Sequence, residues 1–322
     1  MNKLRAILFA VLLTAGAWAQ TVPVIFDTDM GNDVDDALAL AMLHALESRG
    51  ECRLIGVTLT KDNPWAPVYV DLVNTFYGRG HIPVGMVKGG VTPENAKMIQ
   101  VPSERRRPDG TLVYPRRLAG GAEAVEAVAL LRRLLSAEKD GSVVIVQVGF
   151  STNLARLLDA PGDLELVRRK VKLLSVMAGN FVQPKAEFNV QKDTASARKL
   201  FDRWPGEMVV SGFEIGEAMK FPAARIERDF KWTADHPVVD AYRNYMDMPY
   251  DRQTWDLTAV LYAVRPWGGY FDLSEPGKIA SDDAGRTTFQ KDSAGRQRYL
   301  KLTESQKART LECMVALASQ PK

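Results

Sequence analysis

The chain has no internal repeat, no low-complexity tract and, beyond its first nineteen residues, no apolar run long enough to cross a bilayer. A membrane span is thereby excluded from the remainder. Charge of one sign is also missing. The formal net charge is +3, and removal of Lys3 and Arg5 takes it to +1. That excludes a nucleic-acid partner recruited by charge. Cysteine is scarce: only Cys52 and Cys313 occur. Two cysteines so far apart establish no disulfide framework. Cys52 heads a strand-like run and reads as a small buried hydrophobe.

The one apolar run is N-terminal. Lys3 and Arg5 precede the apolar stretch from Ala6 to Leu13, and Ala17-Trp18-Ala19 is a small-x-small cleavage site. This is the pattern of a secretory signal peptide, too short for a membrane span. Cleavage before Gln20 is expected, with residues 20–322 exported to a periplasm or the outside. Their length and composition fit one large α/β domain with a substantial core.

What the chain has in abundance is acid at one place. In VPVIFDTDMGNDVDDALALAML (residues 22–43), Val22 to Phe26 reads as a buried strand. Five aspartates follow within ten residues: Asp27, Asp29, Asp33, Asp35 and Asp36. Gly31 supplies a turn that needs positive φ. From Val34 the apolar spacing is helical, with Val34, Ala37, Leu38 and Ala41 on one face. Strand, acidic turn and helix therefore succeed one another. Ligands in open α/β sheets gather at the carboxyl ends of strands. One acid suffices to cap a helix, whereas five repel unless neutralised. The pattern calls for a hard divalent cation with oxygen ligands, Ca²⁺ or Mg²⁺.

The rest alternates. Strands are predicted over Cys52–Leu59, Pro83–Val87, Ser142–Val148, Lys172–Met177 and Glu207–Val210, with helices over 64–77, 122–137, 193–203, 235–246 and 256–264. Such alternation predicts a single domain with a mostly parallel central sheet and helices on both faces. Residues 89–118 read as a long polar loop, of the kind that often forms a lid. Residues 267–302 read as a hairpin with Asp-Asp-Ala-Gly and Asp-Ser-Ala-Gly turns. Thr303 and Gln306 have capping-box spacing before a C-terminal helix.

The segment DTDMGNDVDDALAL resembles the N-terminal signature of the nucleoside hydrolases, the inosine–uridine-preferring family. Two extra residues, about Asn32-Asp33, separate its glycine from Asp35-Asp36. Gly149-Phe150-Ser151-Thr152-Asn153 after a strand and Ala186-Glu187-Phe188-Asn189-Val190 resemble later family segments. So does Trp255-Asp256, and together these spread the likeness over residues 22–265. The resemblance implies a metal-dependent hydrolase that cleaves the N-glycosidic bond of a nucleoside. It implies Ca²⁺ held by Asp29, Asp36, Asp256 and the Val148 carbonyl, with Asp29 also the general base. The ribose would be held by Asp35, Asn63, Asn180, Glu187 and Asn189, with Asp27 behind the cluster. Asn63 equally fits an Asx turn before Pro64. Asp33 has no counterpart, and metal, sugar and helix cap all stay open for it. The family is commonly oligomeric, although no interface signature stands in this sequence.

Two departures matter. No histidine lies between His81 and His236, where the family often has one that contacts substrate. Trp255 stands where the family has the histidine that helps the base leave. Tryptophan stacks on a base but does not protonate it. His236, Tyr242, Tyr245 and Tyr250 are the nearby residues left for that role. Two other classes compete. A phosphatase of the haloacid-dehalogenase type would use Asp27 as nucleophile, but it leaves Glu187-Phe188-Asn189 unexplained. A non-catalytic nucleoside- or sugar-binding protein would explain the lost histidine, but not the intact aspartates.

Overall fold

The computed structural model describes residues 21–322; the expected signal peptide lies outside the described residues. Thirteen strands are β1 Val22–Thr28, β2 Cys52–Lys61, β3 Val84–Val91, β4 Val125–Glu126, β5 Val143–Gln147, β6 Val171–Met177, β7 Met208–Ser211, β8 Lys220–Phe221, β9 Arg252–Gln253, β10 Asp272–Leu273, β11 Gly277–Ser281, β12 Thr287–Lys291 and β13 Gln297–Lys301. The main sheet runs β12-β11-β13-β7-β6-β5-β1-β2-β3-β4, with β10 on β13. From β13 to β4 every pairing is parallel; β10, β11 and β12 add antiparallel pairs.

The two faces follow from side-chain alternation along each strand. Val24 and Phe26 enter one apolar core and Ile25 the other; in β5, Val144 and Val146 separate likewise from Val143 and Ile145. Helices 35–48, 65–76, 255–264 and 304–318 cover the first face, and helices 127–137, 152–157 and 194–203 the second. The expected fold class is therefore the observed one. Successive strands β1 to β4 build outward on one side, whereas β5 returns to the other side of β1. The reversal opens a crevice at the carboxyl ends of β1 and β5, the usual ligand position in such sheets.

Two expectations are corrected, and one helix was not foreseen. The helix foreseen over 122–137 starts at Ala127, because Gly121–Glu123 forms a short turn and Glu126 caps the helix through Ala129 N–H. The charged stretch 161–170 forms a helix that its sparse apolar pattern concealed. Residues 89–118 are no open loop. They include the helix Lys97–Glu104, bury Met98, Ile99, Val113 and Tyr114, and spend their arginines on protein partners. Arg105 pairs with Asp235 and Asp240, Tyr114 donates to Asp240, and Asp71 accepts the N–H groups of Arg117 and Leu118. At the other end, the β11–β12 hairpin forms as expected, but β13 leaves it to pair with β7. β13 thereby covers what would otherwise be an open parallel edge. Gln306 accepts from Thr303 N–H, completing the cap of helix 304–318.

Gly149 sets how closely β5 approaches the end of β1. A Cβ there would collide with the Thr60 hydroxyl and lie 2.5 Å from the Asp29 nitrogen. Gly149→Ala is expected to destabilise the protein by about 1–3 kcal/mol, the usual cost of overpacking. Urea unfolding measures this; an unchanged midpoint would show that the two strand ends have slack.

Candidate active site

β1 delivers Asp27, Thr28 and then Asp29 to the sheet's edge. The chain turns at Gly31, whose φ is +112°, and a Cβ there would sit 2.6 Å from Ile99 Cδ1. The turn returns the chain as helix 35–48, with Asp35 and Asp36 in its first turn. Helix 255–264, packed against helix 35–48 on the same face of the sheet, brings Trp255 and Asp256. A cavity of about 280 Å³ opens here. Asp29, Asp35, Asp36, Asp256, Val148, Glu187 and Asn189 line its floor; Asn32, Asp33, Met177, Phe188, Phe213, Tyr245, Arg252 and Trp255 complete it.

The floor is an electrostatic problem. Carboxylate oxygens of Asp35, Asp36 and Asp256 all lie within 4.8 Å of one another, and all three residues are buried. Burial first, and then repulsion from neighbouring aspartates, Asp29 and Asp33 among them, drives their pKa values well above the usual carboxylate range. Burial likewise raises Asp29 to about 6 and Glu187 to about 7. Hydrogen bonds relieve little of this. Asp35 accepts from the Asp256 N–H at 3.0 Å, and Asp36 Oδ1 takes the Thr28 hydroxyl. Asp36 Oδ2 is buried with no hydrogen-bond partner. An orphaned buried oxygen among converging carboxylates, with a backbone carbonyl nearby, is an all-oxygen donor set suited to a hard divalent cation.

The sequence-derived residues divide. Asp29, Asp36, Asp256 and Val148 meet in this cavity, and Asp35 joins the carboxylates rather than standing apart from them. The Val148 carbonyl also accepts from Asn189 Nδ2 at 2.7 Å. Glu187 faces the cavity, while its oxygens hold the N–H groups of Gly179, Asn189 and Val190. Asn63 and Asn180 do not line the cavity. Asn63 donates to the Pro93 and Glu94 carbonyls and to Asn95, and accepts from Trp65 N–H, so it ties down a loop. Asn180 accepts from Val182 and Gln183 N–H, the Asx-turn chemistry of its residue type.

The alternatives for base protonation also narrow. His236 is buried among Phe76, Phe230 and Trp232, and burial lowers its pKa to about 3. Tyr242 and Tyr250 stack on each other, and each donates to the other's backbone carbonyl. Only Tyr245 of this group lines the cavity. Burial and the nearby Asp33 push its pKa up, so its proton is held. Trp255 Nε1–H is committed to the Phe213 carbonyl at 3.0 Å. Asp27 is ill placed for a phosphatase nucleophile: it is fully buried, accepts from Thr58 and Asn153, and is absent from the cavity wall.

Sequence reasoning missed two polar arms built on the extra residues of the turn. Asn32 donates to Asp29 Oδ2 at 2.8 Å and accepts from the buried Lys61 Nζ at 2.8 Å. Lys61 also donates to the Thr92 carbonyl, and Thr92 holds a positive φ of 54°. A lysine at the carboxyl end of β2, beside the acidic turn in the sheet, was the available signal for Lys61. On the opposite side Asp33 accepts the N–H of the adjacent Val34 and takes Arg252 in a two-pronged ion pair.

The chain is similar to known proteins in sequence and fold. Over 187 residues, 56% of this chain and 55% of the relative, the sequence is 29% identical to a pyrimidine-specific ribonucleoside hydrolase, RihA, of Shewanella sp. (strain MR-4). The chain thus spans about half the length of the curated relatives it matches. The plant nucleoside hydrolase PpNRh1 superposes with a TM-score of 0.70 at 20% identity, covering 93% of this chain and 99% of that one. An inosine-uridine preferring nucleoside hydrolase from Bacillus anthracis gives 0.70 at 18% identity, with the same coverage. These structural likenesses establish the fold. The family model for inosine-uridine preferring nucleoside hydrolases matches residues 24–318, almost all of the described chain, and the chain belongs to that family.

Proposed function

We propose that this protein is an exported, Ca²⁺-dependent hydrolase that cleaves the N-glycosidic bond of a ribonucleoside into base and ribose. The observation that carries the reading is the buried carboxylate floor beneath an aromatic wall in one cavity. Export rests on the N-terminal sequence alone. Asp29, Asp36, Asp256 and the Val148 carbonyl would hold the cation, with Asp35 beside them. A bound divalent cation lowers the pKa of water and so supplies a nucleophile near neutral pH.

The chain's own residues do the rest. Asp29, with its pKa raised by burial and one oxygen fixed by Asn32, accepts a proton from the attacking water. Negative charge on the floor stabilises an oxocarbenium-like sugar as the bond breaks. Asp35 and the Asn189 side chain face the sugar, and Glu187 fixes the segment that carries Asn189. Phe213 and Trp255, with ring centroids 5.3 Å apart, offer a surface on which a base packs.

Asp29→Asn is expected to keep the fold and lose about a hundred- to ten-thousand-fold in turnover. Assays of a nucleoside panel, with and without chelator, check this; near-normal turnover of the variant would remove Asp29 from the base role.

Stability should follow the same charges. Carboxylic acids whose pKa values are raised by folding stabilise at low pH. That contribution is lost as pH rises through the raised values. Chelator-treated protein is therefore expected to lose this part of its stability between about pH 4 and 7. The rise in Tm on adding Ca²⁺ should grow over the same window. Asp36→Asn, which removes one repelling charge, should raise the chelated Tm at pH 7 and abolish most of the Ca²⁺ response. Thermal scans would contradict the assignment if wild type and variant responded equally.

A further inference from the structure

The cavity has two chemically opposed sides. Its floor is anionic and its wall aromatic. A nucleoside bound with sugar on the floor and base at the wall breaks its bond by sending the electron pair into the base. That charge develops close to carboxylates that repel it, in a poorly screened site where such repulsion is large. A positive group on the wall would stabilise that charge. Among the described residues no imidazole lines the cavity, and Lys61 is turned away onto Asn32 and the Thr92 carbonyl. Among them Arg252 is the cation that lines it.

Arg252 is held in one orientation. Its Nε and Nη2 both donate to Asp33. Its guanidinium carbon lies 5.0 Å from the Tyr245 ring centre and 5.2 Å from that of Trp255. A planar fork gripped by a carboxylate and packed on rings has little freedom left to lose. Its remaining nitrogen, Nη1, has no hydrogen-bond partner among the described residues.

We propose that Arg252, aimed by Asp33, is a catalytic residue that hydrogen-bonds the departing base through Nη1 and takes up its negative charge. This rests on the glycosidase reading above. In the step, the bond from C1′ to nitrogen breaks and its electron pair passes to the base. A water oxygen bonds to C1′, and the water's proton goes to Asp29. The base departs as an anion against Arg252 and takes a proton from solvent after release, while Asp29 returns its own. A guanidinium keeps its protons at neutral pH, so Arg252 works by charge and hydrogen bond and not as a general acid. Bases with a carbonyl oxygen beside the glycosidic nitrogen, such as uracil, offer Nη1 an acceptor that gains charge as the bond breaks. Purines lack an oxygen at that position.

The test is the ratio of kcat/KM on uridine to kcat/KM on 4-nitrophenyl riboside, whose leaving anion needs little assistance. The ratio is independent of how much of a variant is folded. Arg252→Met is expected to lower activity on uridine about a hundredfold, as loss of a transition-state donor does, and to lower the ratio at least about tenfold. Asp33→Asn, which loosens the fork, should move the ratio the same way by less. Equal losses on both substrates would overturn the role of Arg252 and leave glycoside cleavage standing. A wild-type enzyme that turns over neither substrate would overturn the glycosidase reading and this proposal with it.

Discussion

Repulsion among buried carboxylates is the constraint on which this site depends. Asp29, Asp35, Asp36 and Asp256 are brought together from two ends of the chain, at the point where the strand order reverses. Each is buried, and none is relieved by a direct ion pair with a lysine or arginine among the described residues. The fold enforces the crowding. Gly149 lets β5 close on β1, Gly31 turns the chain back, and two helices begin with their acids pointing at one spot. Nothing in the packing of an α/β sheet demands this, and protons or a cation must neutralise it.

Cations of the chain itself stand one step away. Lys61 reaches Asp29 only through Asn32, and Arg252 pairs with Asp33 rather than with the central acids. Both intermediaries come from the widened turn after Gly31. The extra residues thus orient the acids and the wall without neutralising the floor. A lysine placed directly on Asp36 would occupy the space a divalent ion needs. The division leaves the centre free for a cation and keeps the neighbouring side chains fixed.

Much of this was legible in the sequence because it is local. The strand-turn-helix, the positive φ of Gly31 and the acids of residues 27–36 are consecutive, and the alternation of elements gave the sheet. Asp256 and the segment Glu187-Phe188-Asn189 were found by likeness, and all four residues line the cavity. What a polar side chain bonds was less legible. Asn63 and Asn180 have the chemistry to hold ribose, yet the same amide closes a loop or turn equally well. The stretch 89–118 read as a loop because the partners of Arg105 and Arg107, Asp235 and Asp240, lie about 130 positions away. His236 was an available imidazole until Phe76, Phe230 and Trp232 enclosed it. Residue type states what a side chain can bond; long-range packing decides which bond it makes.

If protons neutralise the acidic floor when no cation is present, a cation must expel them. Calorimetric titration of chelator-stripped protein with Ca²⁺ at pH 6, in two buffers of different ionisation enthalpy, counts the protons released. Release of one or more protons per Ca²⁺ is the expected result, lost or reduced in Asp36→Asn. Ca²⁺ binding with no proton release would contradict a floor of buried, proton-holding carboxylates, and absence of binding would contradict the cation site itself.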